Sequence, residues 1–121
     1  MYNIILQETD LITESQFPAI ALINEAFNEN PIEFVNNLTN GVGSGYNYSS
    51  CSFWSELDDY EKSSIEKFDG LLISTEDNEE IVVSISDFAH YLTIACDRLK
   101  ASGFKELQTL KEKVELLKTK Q

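Results

Sequence analysis

Two periods of apolar residues run along this chain, and they divide it into strands and helices. Phe68-Asp69-Gly70-Leu71-Leu72-Ile73-Ser74-Thr75 and Ile81-Val82-Val83-Ser84-Ile85 are short apolar runs of strand length. The polar link Glu76-Asp77-Asn78-Glu79-Glu80 between them predicts a β-hairpin. From Phe88 the period changes: Phe88, Tyr91, Leu92, Ala95 and Leu99 recur at helical spacing and form one stripe. Ser86 is the expected N-cap, its hydroxyl taking a free N–H of the first turn. Asp87 suits the positive end of the helix dipole. Gly103 is the expected stop. The hairpin is expected to lay one face on this helix.

The same periods organise the rest. Met1 to Leu6 predicts a short edge strand, and Thr9 to Gln16 a polar connection. Pro18 opens a helix whose buried face is Ala19, Leu22, Ile23, Ala26 and Phe27. Asn30-Pro31-Ile32-Glu33 predicts the next helix, with Asn30 as cap, Glu33 reaching back to it, and Gly41 as stop. Phe34, Val35 and Leu38 are its apolar side. Three glycines at Gly41, Gly43 and Gly45 mark a loop with unusual dihedrals. An extended strand follows, with Tyr46, Tyr48, Ser50, Ser52 and Trp54 on one side and Asn47, Ser49, Cys51 and Phe53 on the other. Neither side is cleanly apolar, which suits an edge; Phe53 is assigned to the core. Phe104, Leu107, Leu110, Val114 and Leu117 predict a last helix that packs on its own domain. The predicted fold is one α+β domain over 1–121, a three- to four-stranded antiparallel sheet with two helices before it and two after.

Charge changes this picture. The net charge is -12 over 121 residues, and it is unevenly placed. Residues 1–97 carry 18 acidic side chains against 2 basic ones, a net of -16. Residues 98–121 carry 3 against 7, a net of +4. Such a body repels nucleic acid and anionic membranes and attracts a basic partner. Acidity for solubility alone is the plain alternative.

Enzyme chemistry finds little support. His90 lies opposite the apolar stripe of its helix and is expected at the surface. One histidine and two separated cysteines, Cys51 and Cys96, are too few soft ligands for zinc. They also form no disulfide framework and read as small buried residues of a reducing cytoplasm. The Glu76 to Glu80 turn lacks calcium-loop spacing. Gly41-Val42-Gly43-Ser44-Gly45 lacks the lysine of a phosphate loop. No metal and no cofactor are expected, and no run approaches transmembrane length.

A binding role fits better. Tyr46, Tyr48, Trp54 and Tyr60 stand among Glu56, Asp58, Asp59 and Glu61, large contact residues beside carboxylates. Glu76, Asp77, Glu79 and Glu80 are a second acidic candidate. The competing assignment makes Trp54 core and the acids a solvated loop.

Gly43-Ser44-Gly45-Tyr46-Asn47, Cys51-Ser52-Phe53 and Phe68-Asp69-Gly70-Leu71 resemble bacterial immunity proteins of contact-dependent growth inhibition systems. Ser84-Ile85-Ser86-Asp87-Phe88, Tyr91-Leu92 and Ala95-Cys96 continue the likeness, which covers residues 41 to 100. The resemblance implies a cytoplasmic inhibitor, not an enzyme. Its partner would be a cognate C-terminal ribonuclease toxin, bound one to one with its active site blocked. The helices predicted before residue 41 carry no part of the likeness. The alternative is an acidic secretion chaperone that holds an effector before export, for which a homodimer is expected. A further rival is an enzyme using Cys51 or His90.

Overall fold

The computed structural model describes residues 4–77, 79–101 and 105–119. Its elements follow in the order α1 (Phe17–Glu29), α2 (Pro31–Thr39), β1 (Ser44–Gly45), β2 (Ser49–Ser52), α3 (Asp59–Ser64), β3 (Leu71–Thr75), β4 (Glu80–Val83), α4 (Ile85–Ala101) and α5 (Leu107–Lys118). The four strands form one antiparallel sheet in sequence order. This is the α+β fold that the periodicity predicts, with α3 as an addition.

Side-chain alternation gives the sheet two unlike faces. Cys51, Ile73 and Ile81 stand opposite one another across β2, β3 and β4, and Leu71 opposes Val83. All five pack in or against the core. The other face carries the rows Ser50, Ser74, Glu80 and Ser52, Leu72, Val82, and none of these six is buried.

The helix that approaches the sheet most closely is α1, not the one that follows the hairpin. Pro18, Ala19, Ile20, Leu22, Ile23, Asn24, Ala26 and Phe27 are all buried, so α1 is covered on more than the one face its spacing suggests. It meets β2, β3 and β4 as well as α2 and α4. The last helix, α5, closes the domain against α2 and α4 through Leu110, Val114 and Leu117. Phe34 joins the layers, with its ring 6.0 Å from Tyr46 and 6.1 Å from Phe88, both edge-on.

Several local expectations hold. Asn30 caps α2, its side-chain oxygen accepting from the Glu33 N–H at 3.1 Å, and Gly41 follows the helix with φ of 75°. Gly70 precedes β3 at φ of 97°, where a Cβ would also collide with the Val83 carbonyl oxygen. Leu71 and Ile73 are fully buried. Cys51 and Cys96 are buried free thiols, and burial pushes each up to about 11.

Others are corrected. The cap of α4 is Ser84, whose hydroxyl accepts from the Asp87 N–H at 3.1 Å; the helix already begins at Ile85, so Ser86 lies inside it. Residues 4–6 are not a strand. Asn24 supplies their partners instead, accepting from Ile5 and Leu6 and donating to the Leu6 carbonyl. Residues 46–54 are not one strand: β2 begins at Ser49 and ends at Ser52, a turn at 46–48 folds it back onto β1, and β1 takes the edge. Met1 to Asn3, Asn78, Gly103 and Phe104 lie outside the described residues.

Candidate functional site

The twelve candidate residues fall at two ends of the sheet. Strand β2 separates them, with Tyr46 and Tyr48 before it and Trp54 to Glu61 after it. The Glu76 to Glu80 turn joins the first group, because the Glu76 N–H donates to the Tyr48 carbonyl oxygen at 2.9 Å.

The end after β2 is built largely from local caps. Trp54–Glu56 form a single tight turn. The Glu56 carboxylate accepts from the Gly43 and Phe53 amides, each at 2.9 Å. Asp58 and Glu61 exchange bonds across the start of α3, each carboxylate accepting the other's backbone N–H. The Trp54 ring is half-buried, edge-on to Phe68 at 5.5 Å with the Lys62 ammonium 5.8 Å from its centre. Asp59 and Tyr60 point outward, and Tyr60 is 81 % exposed.

The end before β2 borders a groove of about 440 Å³. Its walls come from four parts of the chain: residues 4–8, α1 from Phe17 to Glu25, the β1–β2 turn and the β3–β4 turn. Ile4, Phe17, Ile20 and Tyr48 give it an apolar lining, while Glu8, Glu25, Glu76, Asp77 and Glu79 stand around it. No lysine or arginine is among the described residues that line it. Tyr46 faces inward instead. It packs on Phe34, and burial pushes its phenol up to about 12. The Glu80 carboxylate accepts from the Ser74 hydroxyl.

Polar tethers hold these walls. Glu25 accepts from the Tyr48 N–H at 3.1 Å and from the Ser49 hydroxyl. Asn24, only 8 % exposed, fixes residues 5 and 6. Arg98 donates to the Ile5 carbonyl and grips Asp10 with two nitrogens, at 2.6 and 2.7 Å. That pairing holds the Asp10 carboxyl below its ordinary range.

Sequence reasoning reached Tyr48 and the β3–β4 turn but missed Ile4, Glu8, Phe17, Ile20 and Glu25. Phe17 left one trace, an aromatic just ahead of Pro18 and outside the helix's apolar stripe. Nothing in the spacing brings Glu8 or Glu25 to the turns.

His90 is exposed beside Tyr91. Among the described residues no group of three or more His, Cys, Asp or Glu could hold a metal ion. No helix among them is long and apolar enough to cross a membrane.

The fold is a small acidic α+β domain with a groove rimmed by carboxylates. The chain belongs to the family of CDI immunity proteins, CDI being contact-dependent growth inhibition: the family model matches residues 10–114. The match takes in α1 and α2, which the sequence resemblance did not reach. The family supports an immunity role against a CDI toxin, which implies binding of a cognate toxin. No curated protein matches the chain significantly.

Proposed function

We propose that this chain protects its cell by binding a cognate ribonuclease toxin one to one in the cytoplasm, its acidic surface covering the toxin's basic active-site groove. It acts by occupancy and needs no chemistry of its own. One observation carries the reading. None of the eight candidate carboxylates, Glu56, Asp58, Asp59, Glu61, Glu76, Asp77, Glu79 and Glu80, is ion-paired among the described residues. Their charge is therefore available to a partner.

A ribonuclease must be cationic where it holds phosphates. An acidic protein can fill that groove as a substitute polyanion, and complementary charge raises the rate of encounter. Protection needs tight binding, and a nanomolar complex corresponds to about -12 kcal/mol. An interface of roughly 1,600 Å² supplies that when a few aromatic anchors are well buried.

The test is an RNA cleavage assay. The toxin to test is a basic C-terminal domain of a large exported protein, to be sought in the reading frame just upstream. Cleavage should cease when one equivalent of this chain is added. Undiminished cleavage in the presence of a formed complex refutes blockade, and a domain that cuts no RNA refutes the ribonuclease assignment.

A further inference from the structure

We infer that the groove between the N-terminal segment, α1 and the two hairpin turns is the primary docking site, and that its occupant is a toxin loop presenting an aromatic or large aliphatic side chain flanked by arginine or lysine. This inference rests on the immunity reading and deepens it by choosing one of the two acidic ends and naming the chemistry that fits there.

Three observations favour this end. The first is exposed apolar surface. Ile4 is 66 %, Phe17 43 % and Tyr48 59 % exposed, and all three line the same groove. Past Phe17 the surface runs into a second hollow that includes Ile12, also exposed. Large exposed hydrophobic residues gathered on one face mark an interaction surface, whereas scattered ones do not.

The second is charge. The carboxylates of Glu8, Glu76, Asp77 and Glu79 accept no hydrogen bond from any described side chain or backbone group, and no cation lines the groove among the described residues. At the other end Glu56, Asp58 and Glu61 are already occupied with backbone amides. An apolar floor under a ring of uncommitted carboxylates complements a side chain that is apolar in its body and flanked by cations. It repels an acidic or phosphorylated segment.

The third is preorganisation. Asn24, Arg98 and Glu25 fix the walls before any partner arrives. A surface that is already ordered loses little conformational entropy on binding, and this is where a few residues can dominate affinity.

The experiment measures binding of the cognate toxin domain, identified by its inhibition by this chain, by titration calorimetry, with circular dichroism melts to confirm folding. Phe17→Ala and Tyr48→Ala should each weaken the complex by roughly tenfold or more. Tyr60→Ala, at the opposite end, should stay within about twofold, because a few residues at the groove carry most of the affinity. Should Phe17→Ala unfold, Tyr48→Ala and the double variant Glu76→Lys, Asp77→Lys alter only exposed turn positions and carry the test. Wild-type affinity in the groove variants, or a loss confined to Tyr60→Ala, overturns the inference while the immunity reading stands. Groove variants that change only self-association, seen by sedimentation, assign the groove to a second copy and also overturn it. A wild-type chain that fails to bind the domain defeats the reading and the inference together.

Discussion

The Glu76 amide donates to the Tyr48 carbonyl oxygen across 2.9 Å, joining two turns 28 residues apart in sequence. Glu25 then holds Tyr48 from the α1 side. The two hairpin tips and the central helix therefore behave as one wall. Glu25→Ala removes the partner of the Tyr48 N–H and the buried Ser49 hydroxyl, and should cost about 1–2 kcal/mol. Amide exchange at Tyr48 should quicken with it. Unchanged exchange would show that the turns hold without Glu25.

Asn24 does for residues 5 and 6 what a neighbouring strand would do. It accepts from Ile5 at 3.0 Å and Leu6 at 2.8 Å, and donates to the Leu6 carbonyl at 3.0 Å. Asn24→Leu keeps the branching at Cγ but strands those backbone groups beside the core. Denaturant unfolding should show a loss of roughly 2–4 kcal/mol, on the scale of buried groups left without partners. A loss under about half a kcal/mol would fit an ordinary surface change and contradict the role.

Asp10 and Arg98 make stability depend on acid. The Arg98 guanidinium holds the Asp10 carboxyl below its ordinary value, so folding binds fewer protons there than the unfolded chain does. The stabilisation is complete above the unfolded value of about 3.9 and is lost as pH falls from there through the lower folded value. Asp10→Asn should lower stability at pH 7 and make little difference near pH 2. Equal losses at both pH values would mean that the ion pair contributes nothing.

Carboxylates away from the groove should act at a distance. Charge reversal at Asp58 and Asp59 should slow association with the toxin domain and flatten its salt dependence, leaving dissociation nearly unchanged. Stopped-flow measurements over a salt series separate the two rates. Unaltered association kinetics would exclude this end from steering.

The hairpin was legible because its two runs are apolar and of strand length and a polar turn divides them. Both N-terminal helices were legible because proline and asparagine mark their starts. The cap of α4 was misplaced by two residues: Ser84 and Ser86 are both capping types, and the apolar Ile85 between them extends the strand pattern. The central position of α1 was hidden because burial on several sides comes from tertiary packing, which a single apolar stripe does not record. The groove was hidden for the same reason. Glu8, Phe17 and Glu25 reach Tyr48 and Glu76 only once α1 lies against the sheet. Local spacing did reveal Asp58 and Glu61, which proved to cap a helix.

The most direct measurement is competition for a catalytically inactive form of the toxin domain, loaded with fluorescently labelled RNA and titrated with this chain. Release of the RNA in step with binding of the chain is the expected result. A stable ternary complex, with RNA and chain bound together, would contradict the claim that the acidic surface fills the site where the phosphates sit.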